Sequence, residues 1–385
     1  MPQSAGALPV AAATAPLLLY PMPGNAARAQ AMADALPPRQ AVRLMACEVH
    51  TFPDGETLVR VQPPDPGGIA VLVCTLNDPD PRTVPLLMAA ATLRELGAAQ
   101  VGLVAPYLAY MRQDMRFAPG QTVSARVYAR LLSAHLDWLL TVDPHLHRIH
   151  DLGEIYTLRS RVLHAAPRLA EWIAAHVPAP LIIGPDGESA QWAADVAARV
   201  DAPVIVVQKT RLGDTDVRST IPDLHRYPGR TPVLLDDIIS TGRTLVAALD
   251  HLRAEAATTP PPGRPKAGCA PLGGSAGEAA AWGHTTPPPG RPKAGCAPLG
   301  GSVGEAAAWG HTTPPPVCVA VHGLFAGDAL QALRAAGAAR IAVADTVSGV
   351  EAPGVDVISL DADLAAAVLE LTAGGDGAPA QGVRP

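Results

Sequence analysis

The sequence has 385 residues, a formal net charge of −6, 48% hydrophobic residues and only 4% aromatic residues. A chain of this length can bury the cores of two ordinary domains. The scarcity of aromatic side chains argues against a stacking platform for single-stranded nucleic acid, and the lack of a Lys/Arg-rich run argues against binding to a phosphate backbone.

The cysteines and the N-terminus predict a cytoplasmic protein. The five cysteines show no Cys-x-x-Cys spacing and two of them lie in a repeat, so neither a disulfide framework nor a zinc site is expected. The Ala-rich N-terminus has no basic residue before Arg28, unlike a secretory signal. No apolar run approaches the roughly 20 residues that a membrane-spanning helix needs, so no membrane association is expected.

Short apolar runs along the chain predict strands that are buried on both faces. In chain order these runs are 17–20, 69–75, 101–105, 138–142, 181–184, 204–207, 233–236, 317–321 and 341–344. Helix-forming stretches lie between many of them, at 84–97, 123–136, 188–200, 243–254 and 326–336. Alternation of buried strands with helices predicts an α/β fold with mainly parallel sheets. The number of strands favours two domains that join near 150–165.

Residues 255–316 interrupt this alternation. A 27-residue unit that begins at Thr258 is repeated with a single change, Ala276 to Val303, and a third copy starts before the next predicted strand. The segment is rich in Pro and Gly, a composition that disfavours packed structure. We therefore expect a disordered surface insertion.

The stretch VLLDDIISTGRTL (233–245) is the first candidate site. Asp236 and Asp237 would repel each other unless a cation or a polyhydroxy ligand lay between them and water. The following hydroxyls and backbone N–H groups, at a helix N-terminus, suit a phosphate. A sugar phosphate would satisfy both halves, whereas a strand end with an Asp-rich cap is the simpler alternative.

Polar clusters follow other predicted strands. Arg112 in PYLAYMRQDMRF (106–117) offers a planar fork for phosphate oxygens. The stretch TVDPHLHRIHD (141–151) has zinc-like H-x-H spacing, but nothing in it completes a typical ligand set, so His147 and His150 are interpreted as surface histidines. Asp186 follows strand 181–184, and Lys209 and Arg211 follow strand 204–207.

Six segments in collinear order resemble the ribose-phosphate diphosphokinase family, whose members make phosphoribosyl diphosphate (PRPP). DDIISTGRT resembles the PRPP-binding loop of type I phosphoribosyltransferases. The other segments are FPDGET, PYLAYMRQDMRFAPGQTVSARVYARLL, VDPHLHRIHDL, GPDGES and VHGLF. The sequence departs from the family pattern at Met115-Arg116, Ser240, Arg243 and Glu188.

The resemblance implies an ATP site and a metal site. Phe52, Asp54 and Glu56 would contact the adenine of ATP bound by a neighbouring subunit of a homo-oligomer. Arg112, Gln113 and Asp114 would line the ATP site itself. His145 and Asp186 would hold Mg²⁺ beside the polyphosphate.

The resemblance also implies a ribose 5-phosphate site and catalytic cations. Asp236 and Asp237 would bind the ribose hydroxyls, and the 5-phosphate would be bound by Ser240, Thr241, Gly242, Arg243 and Thr244. Lys209 and Arg211, with His145, would be the catalytic residues. The implied fold has two phosphoribosyltransferase-like lobes, residues 1–160 and 161–385, the second carrying the insertion.

The implied reaction transfers the diphosphoryl group of MgATP to the C1 hydroxyl of ribose 5-phosphate, giving PRPP and AMP. Two alternatives stay open. One is a phosphoribosyltransferase that consumes PRPP, against which the Arg-Gln-Asp segment and the FPDGET turn argue because a transferase needs no ATP pocket. The other is a non-catalytic paralogue that regulates a true synthase, because ligand sets can outlive activity.

Overall fold

The computed structural model describes residues 15–185, 187, 189–211, 217–220, 224–258, 313–349 and 352–373. Within these residues the chain forms two sheets of six parallel strands, each flanked by helices. This arrangement is the α/β fold that the sequence predicts. The predicted insertion 255–316 lies largely outside the described residues.

The first sheet is built from the N-terminal half of the chain. Its strands and helices, with one antiparallel hairpin (β3–β4), are β1 (Leu17–Pro21), α1 (Ala26–Ala35), β2 (Val42–Leu44), β3 (Cys47–Thr51), β4 (Thr57–Val61), β5 (Ile69–Val73), α2 (Pro79–Glu95), β6 (Gln100–Ala105), α3 (Ser124–Ser133), β7 (Trp138–Val142) and β8 (Arg159–Leu163). The strand order is β2-β1-β5-β6-β7-β8. A short 3₁₀ helix, Leu152–Glu154, precedes β8.

The second sheet repeats this plan. Its elements, again with one antiparallel hairpin (β11–β12), are α4 (Ala166–His176), β9 (Pro180–Gly184), α5 (Ala190–Arg199), β10 (Val204–Val206), β11 (Gln208–Arg211), β12 (Val217–Thr220), β13 (Thr231–Ile239), α6 (Arg243–Thr258), β14 (Val317–Gly323), α7 (Ala329–Ala335), β15 (Arg340–Ala344), β16 (Val355–Ile358) and α8 (Asp361–Ala373). The strand order is β10-β9-β13-β14-β15-β16. A second 3₁₀ helix, Leu224–Arg226, precedes β13.

The two sheets therefore share one topology. Counted within its own sheet, each has the order 2-1-3-4-5-6, with a hairpin inserted between the second and third strands. The strand order reverses at the first strand of each sheet, so each sheet has a topological switch point, at β1/β5 and at β9/β13. Ligands of open α/β sheets bind outside the carboxyl ends of the strands at such points.

The predicted domain boundary lies inside β8. Residues 160 and 161 both belong to this strand, which pairs with β7 of the first sheet. The change of sheet therefore occurs between β8 and β9, and the two-domain division itself stays a prediction.

All nine predicted strands are present, and among these nine the largest difference in bounds is at β13. The predicted strand 233–236 extends to Thr231–Ile239, so Asp236 and Asp237 lie within the strand. Asp236 pairs with Ala320 and Ile238 with His322 of the neighbouring β14, which accounts for the extension. None of the helices within the described residues is both long and apolar enough to cross a membrane.

Candidate active site

A cleft of about 680 Å³ lies where residues of the two sheets meet. Its walls come from the loop after β6, the loop after β7, the start of α5, strand β13 and the start of α6. Five of the predicted site residues line it: Arg112, His145, Asp236, Asp237 and Thr244. Side chains separated by more than a hundred residues in the sequence therefore share one cavity.

The Asp-Asp pair lies on β13, beside the switch point of the second sheet. Asp236 and Asp237 are both half-buried, and the backbone N–H of Asp237 donates to Asp236 Oδ1 at 3.0 Å. The strand is buried on either side of the pair because it lies between β9 and β14. This central position fixes where the two carboxylates point.

A turn after β7 brings His145 to these carboxylates. Asp143 has a φ of 31°, and its carboxylate accepts hydrogen bonds from the backbone N–H of Ala165 at 2.8 Å and from His164 Nδ1 at 2.7 Å. The turn is thereby tied to the start of α4. His145 then lies with its Nδ1 2.6 Å from Asp237 Oδ2.

His147 joins this pair, contrary to the interpretation of a surface histidine. Its Nε2 lies 2.9 Å from His145 Nδ1, and the ring is half-buried in the cleft. His150, by contrast, is exposed, as expected. The nitrogen atoms of both histidines and the Asp237 carboxylate lie within 4.8 Å of one another, a grouping that can hold a metal ion. Sequence reasoning missed this because Asp237 is remote along the chain.

The pKa of Asp237 reflects two opposing effects. Burial alone would raise the pKa of this carboxyl, but the hydrogen bond and charge of His145, with a smaller contribution from His322, lower it below its ordinary value. The group is therefore an anion at neutral pH, which suits a ligand of a cation or of ribose hydroxyls.

His322 is a second residue of this region to which the sequence assigned no role. It is buried on β14, its Nε2 lies 3.1 Å from the Asp143 carbonyl oxygen, and its Nδ1 lies 2.8 Å from Thr346 Oγ1. Tyr107 packs edge-on against the ring, with the centroids 5.0 Å apart. His322 thus joins the second sheet to the turn that carries His145. The only sequence signal for it is the VHGLF segment.

The predicted phosphate loop is divided between two cavities. Gly242 has a φ of 71°, a conformation that L side chains rarely adopt, and α6 begins at the next residue. Thr244 lines the cleft, whereas Thr241 and Arg243 line a separate cavity of about 590 Å³ against residues near α7.

The Arg-Gln-Asp segment is divided as well. Arg112 and Gln113 are exposed, and Arg112 lines the cleft. Asp114 is buried, with its carboxylate accepting hydrogen bonds from the backbone and the guanidinium of Arg148 at 3.2–3.4 Å. That carboxylate positions the loop of His145 and His147. Contact between Asp114 and ATP stays a prediction.

The FPDGET segment forms the turn between β3 and β4. The Phe52 N–H donates to the Glu56 carbonyl, and Asp54 Oδ1 accepts from the Glu56 N–H. Phe52 is 40% exposed, and none of the three predicted residues Phe52, Asp54 and Glu56 lines the cleft.

The structure describes three other predicted site residues only in part or not at all. Asp186 lies outside them. Lys209 and Arg211 belong to β11, whose backbone is described, but their side chains lie outside the description.

The chain is similar to known families over both halves. Residues 19–135 match the N-terminal domain of ribose phosphate pyrophosphokinase, and residues 154–264 match the phosphoribosyl transferase domain. The fold resembles the crystal structure of phosphoribosylpyrophosphate synthetase from Mycobacterium smegmatis, with a TM-score of 0.70 and 21% identity over 94% of this chain and 100% of that one.

Curated relatives give the same result at higher identity. The ribose-phosphate pyrophosphokinase of Methanopyrus kandleri is 37% identical over 221 residues, which are 56% of this chain and 74% of the relative. That of Halobacterium salinarum is 35% identical over 224 residues, 58% of this chain and 78% of the relative. The chain therefore belongs to the ribose-phosphate pyrophosphokinase family.

Proposed function

We propose that the protein is a ribose-phosphate diphosphokinase, which transfers the diphosphoryl group of ATP to the C1 hydroxyl of ribose 5-phosphate and releases PRPP and AMP. The observation that carries the proposal is the shared cleft, where Arg112 and His145 from one sheet face Asp236 and Asp237 from the other. A phosphate-binding cation and sugar-binding carboxylates in one cavity suit a reaction between a nucleotide and a sugar phosphate.

The proposed ribose site uses the pair on β13 and the start of α6. Asp236 and Asp237 would accept hydrogen bonds from the ribose hydroxyls, because ionised carboxylates are acceptors only. Ser240, Thr241, Gly242, Arg243 and Thr244 would bind the 5-phosphate at the N-terminus of α6, where backbone N–H groups and the helix dipole favour an anion. The lowered pKa of Asp237 supports an ionised carboxylate here.

The proposed ATP site uses Arg112, Gln113 and Asp114. We propose that Phe52, Asp54 and Glu56 complete it from a neighbouring subunit, because their hairpin does not line the cleft of its own chain. That arrangement requires a homo-oligomer.

The donor atoms at the cleft fit a divalent cation. Asp237 supplies a carboxylate beside the imidazole of His145, and Mg²⁺ is usually held by one or two carboxylates together with substrate phosphates. We propose His145 and Asp186 as its protein ligands. When bound, Mg²⁺ would neutralise negative charge on the polyphosphate.

The chain's own residues would align the reactants. Binding both substrates in one cavity would place the C1 hydroxyl in line with the β-phosphorus. Such positioning, together with electrostatic stabilisation, accounts for most of the rate enhancement in phosphoryl transfer. Lys209 and Arg211 would oppose the negative charge that develops on the leaving AMP and on the transferring oxygens. A PRPP-consuming transferase is not favoured, because the N-terminal match is to ribose phosphate pyrophosphokinase.

The direct test is an assay of the purified chain with MgATP and ribose 5-phosphate, followed by chromatography of the nucleotides and PRPP. AMP and PRPP should form in equal amounts. ADP as the nucleotide product, or AMP without PRPP, would contradict diphosphoryl transfer.

Lys209→Ala should lower kcat by about 10²–10³-fold, the loss typical of one removed electrostatic donor, and change KM for ribose 5-phosphate much less. Lys266→Ala is the control, because Lys266 belongs to the Pro/Gly-rich repeat, to which no site role is assigned. Unchanged turnover in Lys209→Ala would remove Lys209 from the mechanism.

A further inference from the structure

We propose that His147 is a metal ligand that works with His145 and Asp237, and that this three-donor site binds a first-row transition-metal dication more tightly than Mg²⁺. The inference rests on the proposed function for the role of the ion, which would lie beside the polyphosphate. It assigns to the chain a cation preference that neither the composition nor the H-x-H spacing predicts.

Two of the contacts among these side chains use the same nitrogen atom, His145 Nδ1, so hydrogen bonding cannot satisfy both of them fully. His145 Nδ1 lies 2.6 Å from Asp237 Oδ2 and 2.9 Å from His147 Nε2. This nitrogen has either one proton or one lone pair in the ring plane, so two partners must share it. A cation among the three donors removes the conflict, because each donor then directs its own lone pair at the ion.

The distances also suit ligands of one ion. Two donors that each lie about 2.1 Å from a metal at a right angle are about 3 Å apart. The three donor atoms already lie within 4.8 Å of one another, and their side chains are half-buried. Small changes in side-chain rotation would therefore open a coordination site without moving the backbone.

The backbone that follows His147 is held in place. Asp114 accepts a hydrogen bond from the Arg148 N–H, the Ile149 side chain is buried, and Glu154 accepts from the backbone N–H of His150 at 2.8 Å. A loop fixed at these points keeps the His147 ring directed at His145, as a preorganised site requires.

The donor types determine the cation class. Mg²⁺ prefers oxygen ligands and retains several waters, whereas imidazole nitrogen suits Fe²⁺, Ni²⁺, Cu²⁺ and Zn²⁺, and Co²⁺ lies between Fe²⁺ and Ni²⁺ in the order of affinities. The family resemblance assigns one imidazole, that of His145, to the metal beside the Asp186 carboxylate, and His147 adds a second imidazole. We therefore expect the selectivity of the site to depend on His147.

The test measures metal binding to the full chain without ATP or ribose 5-phosphate. Protein treated with a chelator is titrated with Co²⁺, and binding is followed by the visible ligand-field absorption, with Mg²⁺ added as a competitor. Wild type should bind Co²⁺ at least about tenfold more tightly than Mg²⁺. His147→Gln should weaken Co²⁺ binding by at least about tenfold while changing Mg²⁺ binding by less than about threefold, because Mg²⁺ gains little from imidazole.

Two further variants separate ligation from a general effect on the loop. His150→Gln is the matched control, because this exposed histidine lies on the same loop and should keep wild-type Co²⁺ affinity. His147→Glu, whose carboxylate oxygens reach about as far from Cβ as the imidazole Nε2, should restore part of the Co²⁺ affinity that His147→Gln loses and should strengthen Mg²⁺ binding, which a residue outside the coordination sphere cannot do. Circular dichroism establishes that each variant is folded.

Three results would overturn the proposal: equal wild-type affinity for Co²⁺ and Mg²⁺, unchanged Co²⁺ affinity in His147→Gln, or an equal loss in His150→Gln. The PRPP assay is independent of all three. A chain that binds Co²⁺ through His147 but makes no PRPP contradicts the proposed function alone, whereas a PRPP-forming chain whose Co²⁺ affinity does not depend on His147 contradicts this inference alone.

Discussion

The carboxylates of Asp114 and Asp237 show how the surroundings of a side chain determine its role. The Asp114 side chain is 2% exposed and holds the Arg148 backbone, so it supports the loop of His145 and His147. The Asp237 side chain is 35% exposed and is open to the cleft. Both residues follow predicted strands in the sequence. They differ in exposure because neighbouring parts of the fold bury Asp114 and leave Asp237 open.

Asp114→Ala should lower the free energy of unfolding by about 1–3 kcal/mol, because it leaves the Arg148 N–H and guanidinium without their buried acceptor. Urea denaturation measures the change. Asp65→Ala is the control, because the Asp65 side chain is 43% exposed, against 2% for Asp114, and a surface ion pair contributes less than about 1 kcal/mol. Equal losses in the two variants would contradict the structural role of Asp114.

His322 predicts a pH dependence of stability. Burial lowers its pKa below the ordinary value of 6.5, despite the opposing effects of Asp143 and Asp237. The unfolded chain then binds a proton more readily than the folded chain, so the stability is fully present above pH 6.5 and is lost as the pH falls below it. The neutral ring keeps its contact with the Asp143 carbonyl oxygen by donating from Nε2.

The measurement compares the free energy of unfolding of wild type and His322→Gln at several pH values above and below 6.5, the ordinary pKa of histidine. Wild type should lose more stability on acidification than the variant, whatever their absolute stabilities. Parallel pH profiles would show that His322 is not neutral in the folded chain. Titration of Asp237 does not affect the comparison of the two pH profiles, because the lowered pKa of this carboxyl places its titration at more acidic pH.

At the scale of elements, apolar runs specify all the central strands of the two six-stranded sheets but, of their four edge strands, only β10. β5 and β7 are buried at every position and were predicted, whereas β8 (RSRVL) and β16 (VDVI) lie at sheet edges, contain polar residues and were missed. An edge strand has only one neighbouring strand, so its sequence does not need a continuous apolar run.

The contact between β6 and β7 gives an element-scale prediction. Gly102 pairs with Trp138 across the sheet, and a Cβ on Gly102 would lie 1.9 Å from the indole ring. Gly102→Ala should therefore destabilise the chain by about 1–3 kcal/mol through overpacking. Thermal unfolding of the variant measures the effect.

A double-mutant cycle with Trp138→Val supplies the control. Valine lacks the ring atoms that the methyl group would meet, and the indole Nε1 has no hydrogen-bond partner among the described residues, so its removal breaks no such bond. Gly102→Ala should cost less in the Trp138→Val background than in wild type. Additive losses would contradict the proposed clash.

At the scale of the whole molecule, the two sheets share a core. One cluster of buried residues includes Leu19 and Trp138 from the first sheet and Val233 and Val319 from the second. Helix α8, which follows the second sheet in the chain, packs against α1, and Arg28 contacts Asp361 at 2.9 Å. The C-terminal helix therefore helps to join the two halves.

Replacement of residues 259–312 by a short Gly-Ser linker should leave PRPP synthesis and the free energy of unfolding unchanged within about 1 kcal/mol. The reason is that α6 and β14 are the helix and the following strand of an ordinary parallel crossover, for which a short connection suffices. Lost activity in the folded deletion variant would show that the repeat has a role.

By itself the sequence determined the order of the central strands and helices, the α/β class and the presence of carboxylates, histidines and a phosphate-type loop at strand ends. It could do so because burial and turn chemistry leave local patterns. Only the tertiary structure decided that His147 meets His145 and Asp237, and that His322 joins the Asp143 turn. His145 and Asp237 are 92 residues apart and His322 and Asp143 are 179 apart. Such contacts depend on how the two sheets pack, which no local pattern encodes.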